Sequence, residues 1–437
     1  MRPVVPAFKL RPPAGPAHPL PRPRLVRRLD AATEPVVVVS GPPGAGKTVL
    51  LAEWSRGPVA RGDCAWLGLD PRENPPGRLW GAVLHALRGI RPDLSVATSV
   101  QEWTPDHWLE DLLPSLVAEL AAGPPLTLIL DGLEAVTDPE SVRTLGDFLS
   151  RLPAGVRVVL ATRHQPGAPV PALRAHGLVA ELDPGDLAFT REEARALLSG
   201  LLGRAPGDDT LDEVYAATEG WAAGLCLTGR VLGGSQDVAG GTAARADRAV
   251  GDYLTTEVLD RLTTAQLDFL LRTGVLDELS ADACRAVTGT DRAGALLREL
   301  ARTMQLLVPV DAGRTAYRHH RALRPLLAGL LAAEQPAARA ALHRAAACWY
   351  REQRDTASAV RQSVAAGDLP AAVEAVLDTW EEAVAGGRTA LVAHWLRLLP
   401  GRAVAADARL CVVAAMAALS AGDPDTARRW LDVAQAR

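Results

Sequence analysis

Gly41-Pro42-Pro43-Gly44-Ala45-Gly46-Lys47-Thr48-Val49 is the run whose residue types and spacing can do chemistry. Gly-x-x-x-x-Gly-Lys-Thr is the pattern of a loop that cradles phosphates. Its glycines let successive backbone N–H groups converge on phosphate oxygens. A helix opening at Lys47 adds the partial positive charge of its N-terminus. Lys47 reaches the β- and γ-phosphates as a point charge, and Thr48 offers its hydroxyl to Mg²⁺. Of the 47 basic residues only two are lysines, Lys9 and Lys47, against 45 arginines. A G+C-rich codon bias explains the arginines. It does not explain a lysine at 47, where a compact ammonium is the group that phosphate binding needs.

A phosphate loop needs an acid for magnesium at the end of a neighbouring strand. Leu126-Thr127-Leu128-Ile129-Leu130-Asp131 supplies Asp131 where α/β ligands bind, past the carboxyl end of a strand. The next residue is Gly132, where many such ATPases carry a second acid that orients the attacking water. Glu134 stands close enough in sequence to substitute, and a solvated loop carboxylate is the alternative. Val158-Val159-Leu160-Ala161-Thr162-Arg163 ends in a polar pair at the same edge. Arg163 is placed there to sense a γ-phosphate, or else is a surface arginine.

The elements that must position these groups read as alternating strands and helices. Val36–Val39 is a β-branched run, as in a strand buried on both faces of a parallel sheet. Lys47 to Arg56 reads as a helix and Cys64 to Leu69 as a second strand. Arg78–Arg88 and Trp108–Ala121 read as amphipathic helices. Leu126–Leu130 and Val156–Ala161 are further strands, with the helix Ser141–Arg151 between them and Leu178–Leu182 as a fifth strand. This alternation predicts an α/β domain. Residues 1–30 are Pro-rich and basic, read as an extended segment wrapped on that domain rather than as a phosphate-binding arm, and Leu25–Ala32 reads as a short helix.

Beyond residue 186 the strands nearly stop. Thr190-Arg191-Glu192-Glu193 is a capping box opening a helix through Leu202. Residues 210–232 read as helical with a break at Gly220, and 233–242 as a Gly-rich loop. Leu306–Val310 and Thr315–Arg318 flank the turn Asp311-Ala312-Gly313-Arg314; helices followed by this hairpin describe a winged helix. From Gln335 the chain is Ala-rich. Ala366-Gly367-Asp368 and Ala421-Gly422-Asp423 each open a similar helix, the mark of helical-hairpin repeats. The fold class expected is an α/β P-loop NTPase domain with a parallel sheet, then all-α and winged-helix domains, then a C-terminal TPR-like α-solenoid. The expected boundaries are 1–30, 31–185, 186–262, 263–333 and 334–437.

Composition excludes several classes. Hydrophobic residues are 48% and charged residues 22%, an ordinary globular balance. The net charge is 47 − 51 = −4, so the whole chain carries no basic footprint for nucleic acid. The longest uncharged stretch, Leu410–Gly422, is 13 residues, short of the roughly 20 a membrane helix needs. No leader sequence is legible, and five scattered cysteines read as reduced, mostly buried thiols, so a cytoplasmic location is expected.

Several strings in order carry a family resemblance: Phe8-Lys9-Leu10-Arg11-Pro12-Pro13, Pro21-Arg22-Pro23-Arg24-Leu25, the phosphate loop with Trp54, Ala65-Trp66-Leu67-Gly68-Leu69-Asp70, Asp186-Leu187-Ala188-Phe189-Thr190-Arg191-Glu192-Glu193-Ala194, Glu219-Gly220-Trp221-Ala222-Ala223-Gly224-Leu225, Tyr253-Leu254-Thr255-Thr256-Glu257-Val258-Leu259 and Tyr317-Arg318-His319-His320. The chain resembles the STAND-type signalling ATPases, in particular the MalT-like large ATP-binding regulators of the LuxR class. The resemblance implies a switch. ADP holds a closed monomer, an inducer read by the solenoid allows exchange to ATP, and the ATP state self-associates. A LuxR-type helix-turn-helix, absent from these 437 residues, would then bind DNA. The family's winged-helix histidine, which contacts the nucleotide phosphates in the closed form, maps onto His320; a structural histidine beside His319 is the alternative.

Two departures bear on chemistry. Gly132 replaces the second acid, which argues against steady hydrolysis. Ala222 replaces the family's proline after Trp221, which loosens the adenine-side contact. The expected function is an ATP/ADP-binding signalling switch with Mg²⁺ as cofactor and no membrane association. The runners-up are a P-loop ATPase of steady turnover and direct DNA binding through the winged helix. The expected nucleotide-site residues are Gly41 to Val49, Asp131, Glu134, Arg163 and His320, with Thr48 and Asp131 on the metal.

Overall fold

Val36, Val37, Val38 and Val39 are all fully buried, as a strand covered on both faces must be. In the computed structural model, which describes residues 5–15, 20–57, 63–96, 104–165, 167, 169–234 and 241–436, they form β1 (Val36–Ser40). Alternation sends Val36 and Val38 into one core cluster and Val37 and Val39 into the other. β2 (Asp63–Gly68), β3 (Leu126–Asp131), β4 (Val156–Thr162) and β5 (Val179–Leu182) complete a parallel sheet in the order β2-β3-β4-β1-β5. One face holds Trp80 against Trp108 at 4.1 Å and Phe148 at 5.3 Å between ring centroids. The other packs Leu25 and Leu29 of the helix Pro23–Ala31 against Leu50, Leu51 and Trp54 of the helix Lys47–Trp54.

The chain divides into two compact units, Met1–Asp260 with Ala301–Leu306, and Arg261–Leu300 with Leu307–Arg437. In the first, the capping box at Thr190 forms as expected: its hydroxyl accepts the Glu193 amide and the Glu193 carboxylate accepts the Thr190 amide. The break expected at Gly220 separates the helices Asp208–Thr218 and Ala222–Gly233. Gly220 has φ +76°, and a Cβ there would lie 2.4 Å from the Phe189 carbonyl oxygen, so only glycine fits. Of the expected loop 233–242, residues 235–240 lie outside the described residues, and a helix runs from Gly241 to Glu257. The expected helix from Trp108 starts earlier, at Pro105–His107, and passes through a π-helical turn, Trp108–Leu112, before Leu113–Ala122. Pro114 has no N–H to donate to the turn before it, so the ladder shifts there.

In the second unit the expected hairpin forms as β7 (Leu307–Pro309) and β8 (Ala316–His319). A strand not foreseen, β6 (Leu279–Ser280), pairs with the other edge of β8. Two residues are too few to show alternation, and Ser280 also caps the next helix through the Ala283 amide. Further on, the Ala-Gly-Asp repeats are one backbone device. Gly367 (φ +74°) and Gly422 (φ +78°) let Asp368 and Asp423 donate their amides back to Ser363 and Ala418. The same aspartates then cap the following helix through the amides of Ala371 and Thr426. Arg354 (φ +59°) and Asp355 repeat the device without a glycine, which hid it from sequence reading. Of the four tryptophans in this segment, Trp395 is buried, and Trp349, Trp380 and Trp430 are half-buried. Among the described residues, no helix is long and apolar enough to cross a membrane.

The N-terminal segment wraps the first unit, as expected. Lys9 is buried, with its Nζ 2.7 and 2.6 Å from the two Glu73 carboxylate oxygens and 2.8 Å from Asp70 Oδ2. Arg22 stacks on the Phe189 ring at 4.1 Å, and Arg22 and Arg24 both pair with Glu193. Removing one partner of a buried pair strands the other charge, at a cost of about 3–5 kcal/mol. Lys9→Met, which keeps the apolar stem, is expected to lower the melting temperature by several degrees. A melt within about 1 °C of wild type would contradict this.

Candidate functional site

β3, β4 and β1 are neighbours, so their carboxyl ends share one edge of the sheet. Ser40 is paired with Thr162, and Asp131 with Ala161. The Gly41 amide donates to the Thr162 carbonyl at 3.2 Å, and the Gly132 amide to the Ala161 carbonyl at 3.1 Å. The phosphate loop thus leaves β1 directly beside the ends of the strands that carry Asp131 and Arg163. Gly44 (φ +71°) and Gly46 (φ +89°) take left-handed conformations that curl the loop. Ala45 is buried in the core beneath it, and Val49 is half-buried in the first turn of the helix.

Lys47 is buried, and its Nζ donates to the loop's own carbonyls, Gly41 at 2.6 Å and Pro42 at 3.1 Å. Carbonyl oxygens solvate an ammonium but do not neutralise it. Burial therefore pulls the Lys47 pKa down to about 8, against the smaller upward pull of Glu134 and Asp131. A phosphate at this position would offset that burial with negative charge.

Thr48 Oγ1 donates to Asp131 Oδ2 at 2.8 Å, so the two proposed magnesium ligands already touch. Burial pushes the Asp131 carboxyl up, while the hydrogen bond from Thr48 and the charge of Lys47 pull it down. A hydroxyl and one carboxylate are hard oxygen donors, too few to cage a cation alone. That fits Mg²⁺, which keeps several waters and takes its remaining ligands from phosphate. Among the described residues, no group of three or more His, Cys, Asp or Glu side chains is placed to hold a metal.

Gly132 has a physical reason. Its φ is +93°, and a Cβ there would lie 2.7 Å from the Leu69 carbonyl oxygen. Leu69 donates its amide to the Asp131 carbonyl at 2.7 Å, which ties its backbone to the end of β3 beside Gly132. Glu134, in the turn Leu133–Ala135, is brought to the site. It accepts the Arg163 amide at 3.0 Å and pairs with Arg163 Nε at 3.1 Å. Arg163 NH1 also pairs with Glu257 Oε2 at 2.8 Å.

Four residues beyond the expected set also reach this edge. Trp221 Nε1 donates to the Pro43 carbonyl at 2.9 Å, and the Ala223 amide to the Gly44 carbonyl at 3.0 Å. A Cβ on Gly44 would lie 2.4 Å from the Ala223 Cβ and 2.8 Å from the Tyr253 hydroxyl. Trp221 and Tyr253 pack with ring centroids 5.6 Å apart. Glu257, the last residue of the helix Gly241–Glu257, is the fourth. All four lie in strings quoted for the resemblance, but contact with a loop some two hundred residues upstream leaves no local pattern. His320 belongs to the second unit: it follows β8, is buried, and its Nδ1 accepts the Ala322 amide at 3.3 Å. His319 beside it is wholly buried, which drives its pKa down to about 3.

A family model described as the MalT winged helix domain matches residues 255–339. The HTH-type transcriptional regulator MalT of Cronobacter sakazakii is 27% identical over 421 residues, which are 93% of this chain and 46% of that protein. The serine/threonine-protein kinase PknK of Mycobacterium tuberculosis is 28% identical over 383 residues, 86% of this chain and 34% of that protein. The chain therefore spans less than half the length of these relatives. A Walker-type ATPase of Pyrococcus abyssi superposes with a TM-score of 0.51 at 16% identity, covering 74% of this chain and 99% of that one, which shows the fold. A STAND protein with a tetratricopeptide repeat sensor from Pyrococcus horikoshii, also 16% identical, covers 95% of this chain and 64% of that one, but its TM-score of 0.36 is too low to argue from. In this order the chain carries a phosphate loop, the parallel sheet that holds it and a winged helix matched by the MalT model, and over most of its length it is similar to the regulator MalT.

Proposed function

We propose that the chain is a cytoplasmic nucleotide switch that binds ADP or ATP with Mg²⁺ at Gly41–Thr48. Exchange is coupled to an inducer at the helical repeats and to self-association. DNA is engaged only through a separate domain of the kind the MalT resemblance implies. The observation that carries the reading is the buried Lys47 ammonium, which donates to the Gly41 and Pro42 carbonyls of a loop whose next two carbonyls are held by Trp221 and Ala223. When phosphate arrives, Lys47 exchanges the Gly41 and Pro42 carbonyls for phosphate oxygens. The loop amides and the N-terminus of the helix Lys47–Trp54 take the rest of the charge. Thr48 and Asp131 would hold the magnesium, which neutralises phosphate charge when bound. His320 is the proposed phosphate contact of the closed form, carried over from the family resemblance.

Slow regulatory hydrolysis suits this geometry better than steady turnover. A general base must reach the attacking water, and Glu134 is committed to Arg163 through two contacts. Gly132 has no room for a replacement.

Three outcomes test this reading. Lys47→Ala is expected to lose ADP and ATP binding in titration calorimetry; retained micromolar affinity would contradict it. The pH dependence has a defined sign. Lys47 titrates in the folded chain near 8, below its unfolded value, so folding carries the cost of its charge at lower pH and sheds it as pH rises through 8. Phosphate binding needs the ammonium. Affinity should therefore be level below about pH 8 and fall by up to about tenfold per unit above it, with proton uptake on binding. Constant affinity between about pH 7 and about pH 9 would exclude Lys47 as the titrating anchor. Finally, Gly132→Asp, which restores the family's second acid, should cost about 2 kcal/mol or more of stability through left-handed strain and the Leu69 contact. It should not speed hydrolysis; faster turnover by the folded variant would revive the steady ATPase.

A further inference from the structure

Arg163 is held from two sides. It leaves β4 beside the start of the phosphate loop, where the Gly41 amide bonds the Thr162 carbonyl. Glu134, on the loop after β3, takes its amide and its Nε. Glu257 takes NH1 at 2.8 Å from a different element, the end of the helix Gly241–Glu257, with each side chain about one-third exposed. The helix that carries Glu257 also carries Tyr253, whose hydroxyl sits at Gly44 of the phosphate loop and whose ring packs on Trp221. One helix therefore touches both the phosphate loop and the arginine beside it.

We infer that Glu257 sets the preference between ADP and ATP by competing with the γ-phosphate for Arg163. The inference rests on the proposed nucleotide site and adds a residue that discriminates between its ligands. A diphosphate leaves the Arg163–Glu257 pair intact, because it has no group to offer that guanidinium. A triphosphate draws Arg163 to its terminal oxygens, and the Glu257 carboxylate must give up its partner. A ligand shifts a two-state element only through such differential contacts. The end of the helix Gly241–Glu257 is then the element that is held in the ADP state and released in the ATP state. Glu257 is a positioning and specificity residue in this scheme, since it touches Arg163 and not the nucleotide.

The test measures ADP and ATP affinities of the whole chain for wild type, Glu257→Gln, Arg163→Gln and the double variant. Glu257→Gln keeps shape and hydrogen bonding but removes the charge. It should tighten ATP by about fivefold to tenfold, the low end of allosteric couplings, and leave ADP within about twofold. In the Arg163→Gln background the same change should leave the ATP/ADP ratio unmoved, which a merely structural role for Glu257 would not produce. Equal shifts for both nucleotides, or an undiminished effect without Arg163, would overturn the inference while leaving the nucleotide site standing. A wild-type chain that binds neither nucleotide would overturn both.

Discussion

A lysine ammonium buried against carbonyl oxygens alone is the constraint on which the rest of the site depends. Among the described residues, the Lys47 ammonium donates to the Gly41 and Pro42 carbonyls of its own loop and to no carboxylate. Burial without neutralisation is costly, and it is what lowers the lysine's affinity for its proton. The cost is tolerable because the surrounding sheet is rigid: β1 is wholly buried and the loop begins at an amide fixed to β4. The site is thereby preorganised for an anion. The order of strands does the remaining work by setting Asp131 and Arg163 along the same edge at once.

The other half of the design lies in residues far along the chain. Trp221, Ala223 and Tyr253 close on the outer side of the loop, against two carbonyls and the bare Cα of Gly44. Loop shape and the position of these helices are therefore one variable within the first unit. Arg163 extends that linkage electrostatically, with Glu134 on the sheet side and Glu257 on the helix side. Gly132 fits the same logic: the tight turn that brings Glu134 to Arg163 leaves no room for a side chain at 132. The geometry that removes a second acid next to Asp131 is the geometry that engages Arg163.

Local signals made much of this legible in the sequence. The phosphate loop is a short contiguous pattern, and the valines of β1 and the aliphatic run of β3 declare a two-sided sheet. Thr190 and Glu193 announce their helix through spacing alone, and Asp368 and Asp423 do so after their glycines. Contacts of high sequence separation left no such trace. Trp221 reads only as one letter of a family string until its indole is seen on Pro43. Glu257 reads as one letter in a helix until it is seen on Arg163. β6 is too short for periodicity, and Arg354 conceals a left-handed turn that glycine would have advertised. Lys9 stands out in the sequence by its rarity, but its burial against Glu73 follows from the path of the chain.

The central claim is that the buried Lys47 site holds a nucleotide and keeps it. The most direct measurement is chromatography of what the purified chain releases on denaturation. One equivalent of ADP is the expected result. A chain that releases no nucleotide and takes up no added ATP would contradict it, and the loop would then be a phosphate cradle that has lost its ligand.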